Sequence, residues 1–400
     1  MKVVVFSPLL SFPGHFARIT SIKALFFSAV GMDVTVAGFP AVDKAGIAPE
    51  LTYVSRLAGM PPKWQSVCRH GRNRLGKLWV VVIENILGHL GALQYARKIK
   101  ADIVYITDLE PWVIILLKAV GCLRKVPPLV GFIPSVFFVP TSLKGIPFHV
   151  WARALLIHWS MPLLPHCMDV VCDNQFVADI LFKKKQAKIH IIPDGFDREV
   201  VSRNVKQDAR RRLNLPLDQR ILLLFGVDIF SRGADLLYEA LTGVEPAFML
   251  CVVGKIARFY VPKHLGDNNG WDPYTRKVPG FVSEEERRLY FMACDAVILP
   301  YRQGYPMTSG CMRDAISFGK AVLVCDQYFV GDMVKKHDLG LTFPPEDIPA
   351  IRNCLRTFAV QPQEWFDQIE INCRGIVDEY CWERIAEQYR DVFKSLAIEA

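Results

Sequence analysis

No Cys-x-x-Cys pair occurs among the 11 cysteines of this 400-residue sequence. Odd in number and scattered, they point away from a disulfide framework or a structural zinc site and read as reduced thiols of the core. A membrane-spanning run of about 20 predominantly apolar residues is also missing. Leu78 to Leu93 is broken by Glu84 and His89, and Pro147 to Leu164 by Arg153 and His158. The opening Met1 to Phe6 is too short an apolar run for a signal peptide and lacks a small-residue cleavage site, so a strand and a cytoplasmic protein are expected. Internal repeats and low-complexity segments are absent.

Acidic residues are scarce in one half only. From Met1 to Asp194, 22 Lys and Arg face 11 Asp and Glu, whereas in the remainder 26 face 29. Leu51 to Ile83 and Pro111 to Met168 hold no carboxylate at all. The net charge of +8 therefore gathers in the first half. Such an asymmetry suggests an anionic partner: a membrane surface, a phosphorylated substrate or a nucleic acid. Lys63, Trp64, Arg69, His70, Arg72, Arg74 and Lys77, with Phe148, Trp151, Arg153, His158 and Trp159, mix cations and rings as an interfacial segment does. A solvated basic face is the alternative. No recognised nucleic-acid module accompanies the charge, and no nucleic-acid partner is expected.

What is present is an alternation of strand and helix signals. In the first half, strands are expected at Lys2 to Ser7, Val34 to Ala37, Thr52 to Val54, Ile103 to Thr107, Pro128 to Phe132, Asp169 to Cys172 and Ile189 to Ile192, with helices between most of them. Asn174 is placed to cap one helix. A charged linker, Asp197 to Arg220, precedes a fresh series: strands Ile221 to Phe225, Phe248 to Val253 and Ala296 to Leu299, and a helix Glu284 to Cys294. The pattern predicts an α/β fold of two Rossmann-like domains whose ligands sit beyond the carboxyl ends of parallel strands, in a cleft between facing domains. Residues 1–196, with a C-terminal helix of about 378–400 crossing back, form the first domain and 197–377 the second.

One stretch, Ala296 to Val324, concentrates the chemistry. It reads as strand, loop, helix (Cys311 to Phe318), a stop at Gly319 and strand again. Its loop offers Thr308, Ser309 and Gly310 at a helix start, where backbone N–H groups and the positive helix end suit a phosphate. Asp314 is either a carboxylate that accepts hydrogen bonds from a ligand or a residue that merely caps or faces solvent on its helix. Gly226 ends a strand, and Arg232 follows in the next loop with a guanidinium suited to bidentate phosphate binding. In the first half, Gly14 and His15 lie in the first βα turn, and Asp108 and Glu110 follow a buried strand. These two carboxylates either orient a ligand hydroxyl or cap the helix beginning at Pro111.

Taken in order, Ile191-Ile192-Pro193-Asp194-Gly195-Phe196-Asp197, Phe225-Gly226 to Arg232-Gly233, Val252-Val253-Gly254, Val278-Pro279-Gly280-Phe281-Val282-Ser283 and Trp382-Glu383-Arg384-Ile385-Ala386 resemble the GT-B-fold glycosyltransferases of the retaining family-4 type. The resemblance implies an enzyme that moves a sugar from a nucleotide-sugar donor to a glycan or lipid-linked acceptor, without metal or other cofactor. It implies a catalytic role for Arg232, Asp108 and Glu110, with His15, Asp108 and Glu110 toward the acceptor. The donor would lie on Gly14, Gly226, Arg232, Gly254, Lys255, Gly280, Phe281, Thr308, Ser309, Gly310 and Asp314. Two positions depart from the pattern: Pro306 stands where the first Glu of the family's E-x7-E segment is expected, and Val227 where an Arg follows the first Gly. Lys255 or Arg302 could supply the missing cation. A catalytically impaired relative acting as a binding or scaffold protein is the alternative reading.

Overall fold

The computed structural model describes residues 1–7, 15–38, 48–54, 74–107, 109–133, 155–182, 188–199, 202–226, 230–242, 244, 247–255 and 272–399. The chain divides into two compact units, Met1–Pro193 with Trp382–Ala400, and Asp194–Cys381. Each is a parallel-sheet α/β domain.

The first unit contains β1 (Lys2–Phe6), α1 (His15–Ala29), β2 (Asp33–Ala37), β3 (Thr52–Val54), α2 (Arg74–Ile99), β4 (Ile103–Ile106), α3 (Pro111–Ala119), β5 (Leu129–Ile133), β6 (Asp169–Cys172), α4 (Gln175–Leu181) and β7 (Ile189–Ile191). Its seven strands run in the order β3-β2-β1-β4-β5-β6-β7. Helices cover both faces of such a sheet, so β1, β4, β5 and β6 are near-continuous Val, Ile and Leu runs rather than alternating ones. Asn174 caps α4, its Oδ1 accepting from Val177 N at 2.9 Å. The last helix of the chain, Trp382–Glu399, packs on α1. There the buried Lys23 ammonium sits 3.2 Å from the Phe132 ring centre and donates to the hydroxyls of Tyr105 and Tyr389.

The second unit contains α5 (Arg203–Arg212), β8 (Arg220–Phe225), α6 (Ala234–Leu241), β9 (Phe248–Gly254), β10 (Thr275–Pro279), α7 (Glu284–Ala293), β11 (Ala296–Leu299), α8 (Gly310–Ser317), β12 (Ala321–Cys325), α9 (Tyr328–Lys336), β13 (Gly340–Phe343), α10 (Ile348–Ala359) and α11 (Gln363–Glu379). The sheet order is β10-β9-β8-β11-β12-β13, all parallel. Chain connections leave β8 in one direction toward β9 and β10 and later return on its other side to β11. The topological switch point thus lies between β8 and β11.

Two expectations of extent change. The charged stretch 197–220 is not all linker, since α5 forms within it. Ser202 caps that helix and Arg210, though charged, is buried against Asp295 at 2.7 Å. The unit boundaries fall at 193/194 and 381/382 rather than at 196/197 and about 377/378. Asp194 is held by Arg313 of α8 at 2.9 Å, and Phe196 N donates to Tyr380 O at 2.9 Å beside a Phe196–Cys381 bridge. These contacts hold 194–196 and 380–381 within the second unit.

Candidate functional site

The carboxyl ends of β8 and β11 carry the loops that flank the switch point. After β8 the backbone turns at Gly226 (φ 133°) and regains a short helical turn at Phe230–Arg232. Gly233 (φ 63°) then starts α6; a Cβ there would meet the Pro300 carbonyl oxygen at 1.9 Å, so only glycine lets this loop close against the end of β11. Arg302 N donates to Ser231 O at 3.0 Å and fastens the two loops together.

Arg232 is the charged centre of this contact. Its Nη1 donates to the Tyr301 hydroxyl at 2.6 Å, and its guanidinium lies 5.0 Å from the Tyr301 ring centre and 5.8 Å from that of Tyr305. Tyr301 in turn shares a 2.6 Å hydrogen bond with Ser309 Oγ. Ser309 is the N-cap of α8, its Oγ accepting from Met312 N at 3.2 Å. Arg313 N donates to the Ser309 carbonyl at 2.9 Å, which leaves the N–H groups of Gly310 and Cys311 as the helix-start donors with no partner inside the helix. A continuous polar chain therefore runs from the guanidinium through two hydroxyls to a helix N-terminus.

The electrostatics keep that chain positive. Burial pushes the Tyr301 phenol well above its ordinary value, outweighing the nearby Arg232, so the group facing the guanidinium is neutral. Burial likewise raises the Cys311 thiol. For Arg232, burial acts against its charge, but the hydrogen bond that it donates to the Tyr301 hydroxyl favours the charged form, and a guanidinium stays protonated. No ion pair to Arg232 is found among the described residues. A positive charge bonded to neutral groups at a helix start can accept a phosphate without first breaking a salt bridge.

The neighbouring strands end in the same manner. Gly254 (φ 107°) closes β9, where a Cβ would stand 2.2 Å from Gly226 O, and Gly280 follows β10. Lys255 Nζ lies 4.3 Å from the ring centre of the exposed Phe281. Gly226, Arg232, Gly254, Lys255, Gly280, Phe281, Thr308, Ser309 and Gly310 thus all stand at the carboxyl end of one sheet. Asp314 lies farther along α8, buried, with Oδ2 2.7 Å from Arg287 Nη1 in an ion pair; it is not a solvent-facing helix residue. Arg287 is also gripped by Glu284, Nε to Oε2 at 2.9 Å. Arg302 is committed elsewhere, pairing with Asp235 and, at 2.8 Å, with Glu346.

In the first unit, Glu110 is buried and occupies the N-cap position of α3, but its carboxylate makes no cap. It accepts from Trp112 Nε1 at 3.0 Å instead. Gly14, Asp108 and Val227 lie outside the described residues, as does the side chain of His15. So do Lys63 to Arg72, Phe148, Trp151 and Arg153, and the side chains of Arg74 and Lys77. His158 and Trp159 are exposed. Among the described residues no His, Cys, Asp and Glu group is arranged to hold a metal ion, and no helix is long and apolar enough to cross a membrane.

Tyr301, Tyr305 and Arg287 were not singled out by the sequence reading. The Tyr-x3-Tyr spacing directly after a buried strand and before Thr-Ser-Gly was the available signal; Arg287 offered none.

Residues 205–364 match the family described as glycosyl transferases group 1. A lipopolysaccharide 1,2-N-acetylglucosaminetransferase of Salmonella typhimurium is 23% identical over 267 residues, which span 60% of this chain and 67% of that protein. Among solved structures, sucrose-phosphate synthase from Thermosynechococcus elongatus superposes with a TM-score of 0.71 at 16% identity, covering 100% of both chains. Anabaena HepE in complex with UDP and glucose gives 0.70 at 17% identity, covering 98% of this chain and 99% of that one.

Proposed function

We propose a function from one premise: residues 205–364 belong to the glycosyl transferases group 1, carried on a GT-B fold of two parallel-sheet domains. The protein is a glycosyltransferase that moves a sugar from a nucleotide-sugar donor to an acceptor hydroxyl with retention of anomeric configuration. The observation that carries this reading is the chain from Arg232 through Tyr301 and Ser309 to the start of α8 at the switch point of the second sheet. In the proposed mechanism the diphosphate rests on the Gly310 and Cys311 N–H groups and on Arg232. As the glycosidic bond breaks, negative charge grows on the leaving diphosphate. A preset guanidinium and helix end then stabilise the transition state more than the ground state. Tyr301 and Ser309 fix the guanidinium, so little reorganisation is needed at that moment.

Gly254, Lys255, Gly280 and Phe281 would supply the wall on which the nucleoside lies, with Asp314, paired with Arg287, near the ribose. A UDP-sugar is the first donor to test, because the similar HepE structure is a complex with UDP and glucose. A cell-surface glycan precursor is the proposed acceptor, consistent with the name of the Salmonella relative. Exposed Leu156, Trp159 and Leu163, beside a basic half of the sequence, support delivery of a lipid-linked acceptor at an anionic membrane face. His15, Asp108 and Glu110 remain the proposed acceptor side. Of these, Glu110 would act by holding Trp112 rather than by touching the hydroxyl.

The test is a panel of UDP-, GDP- and ADP-sugars assayed for transfer into lipid and aqueous fractions of a native extract, with and without EDTA. Transfer from at least one donor, unaffected by EDTA and with retained configuration, is expected. No transfer from any donor overturns the reading. A second reading, binding without turnover, is favoured by the Asp314–Arg287 ion pair and by Pro306; donor binding with no transfer to any extract fraction would select it.

A further inference from the structure

The opposite end of the same six-stranded sheet carries a polar cavity. It has a volume of about 550 Å³ and is built at the amino ends of β8, β11 and β12, from Arg220, Asp295 and Lys320. A six-residue strand such as β8 separates the two ends by about 20 Å. Two helices begin at its rim: Ser202 and Arg203 start α5, and Gln363 starts α11. The positive ends of both helices therefore face one space.

The cations of this cavity outnumber the carboxylates that can answer them. Arg203, Lys206, Arg210, Arg220 and Lys320 line it, against Asp218, Asp295, Asp367 and Glu370. Three of the four carboxylates are already engaged. Asp295 is held by Arg210 at 2.7 Å, by Lys206, and by Ile221 N at 2.7 Å. Asp367 accepts from Gln363 Nε2 at 2.8 Å, and Glu370 pairs with Arg374. Asp218 lies exposed at the edge. On the cationic side, Arg220 hydrogen-bonds the neutral amide of Gln363 at 2.9 Å and lies 4.1 Å from the Phe366 ring centre and 3.7 Å from the already shared Asp295. The buried Lys320 ammonium donates to the Met292 carbonyl at 3.0 Å, and Arg203 stands exposed at the rim. Phe366 and Leu217 give the cavity an apolar wall.

We propose that this cavity is a binding site for a small phosphate-bearing anion, either free phosphate or a phosphate monoester, seated between Arg203, Arg220 and Lys320 and the starts of α5 and α11. The volume suits an ester better than the ion alone, since small-molecule sites run from about 300 to 1,000 Å³. The site is independent of the donor reading, because it shares no residue with the Arg232 end. Lys320 supports the assignment. Burial lowers its pKa to about 8, in a setting that also includes Cys294 and Asp295 before β11, Lys206 of α5 and Glu370 of α11. An arriving anion favours its charged form, so binding at pH 8 takes up protons.

The experiment is isothermal titration of the full chain with inorganic phosphate and with glycerol 3-phosphate at 0.15 M NaCl. It is run with UDP present and again on Arg232→Ala, so that the donor end cannot report. One-to-one binding is expected in both settings, weakened at least tenfold by the exposed Arg203→Glu, whose fold is checked by an unchanged Tm, and by Arg220→Gln. Tighter binding of glycerol 3-phosphate assigns the site to a phosphorylated metabolite; tighter binding of inorganic phosphate assigns it to the free ion. Absence of binding at millimolar concentration, or binding that is indifferent to Arg203→Glu and Arg220→Gln, overturns the proposal. Loss of all binding when UDP is added or Arg232 is removed overturns it as well, without touching the donor reading.

Discussion

At the amino end of the second sheet Arg210 meets the carboxylate of Asp295 at 2.7 Å, while at the carboxyl end Arg232 meets the phenol of Tyr301 at 2.6 Å. Both guanidiniums belong to one domain and lie only a strand length apart. The difference is in the partner. A carboxylate neutralises the cation and turns it into a structural cross-link, here between α5, β8 and the start of β11. A phenol kept neutral by burial orients the cation without neutralising it, and the charge is left for a ligand. On the proposed function, the partner, more than the presence of an Arg, separates a cation that serves the fold from one left for the chemistry.

The largest effect should come from breaking the amino-end pair. Asp295→Ala leaves Arg210 and Lys206 facing each other without a carboxylate, and urea denaturation should show a loss of about 3–5 kcal/mol. Burial alone would raise the Asp295 pKa, but Lys206 and Arg210 outweigh it and hold it below the ordinary carboxylate range. Its stabilisation is therefore present above that range and lost as pH falls through the depressed value. A pH series should show this acid-side loss in the wild type and not in Asp295→Asn.

Next comes the carboxyl end. Arg232→Ala should lower kcat/KM by about 10²–10³, near 3–4 kcal/mol of transition-state stabilisation, with Tm changed far less than in Asp295→Ala. Equal losses in stability and activity would erase the distinction between the two ends. A third effect follows from Lys320, whose folded pKa of about 8 lies below its ordinary value. The unfolded chain then binds more protons between about 8 and 10.5, so wild-type stability should rise with pH across that window. Lys320→Met should stabilise the protein by on the order of 1–3 kcal/mol at pH 7, a gain that fades as pH climbs through the same window, read by thermal melts. The smallest effect is Tyr301→Phe. Removing one hydroxyl from the chain to Ser309 should cost about 1–1.5 kcal/mol, roughly tenfold in kcat/KM, because Arg232 keeps its charge and loses only its orientation.

Much of this architecture was legible in the residues. Buried Val, Ile and Leu runs gave β8, β9 and β11 to within a residue or so, and the glycines after them marked the carboxyl ends. Ser283 with Glu286 three residues later is a capping box, and α7 begins there. Other features were hidden. The run Arg203–Arg212, with six charged side chains, looked like part of a charged linker; the burial of Arg210 within it depends on Asp295, 85 positions away. Glu110 preceded a Pro-started helix and so looked like a cap or an acceptor base, yet its carboxylate is taken by Trp112 two residues on.

The sequence by itself determined which segments become parallel strands, where their ends carry glycine, and that Thr308, Ser309 and Gly310 open a helix. Those outcomes follow from apolar runs, backbone freedom and capping, all of which act over a few residues. Only the tertiary structure decided that Arg232 is oriented by Tyr301, that Asp314 is tied to Arg287 and Arg302 to Asp235 and Glu346, and that five cations gather at the far end of the sheet. Each of these is a choice among charged partners distant in sequence, and the strand order, which sets who stands beside whom, makes it.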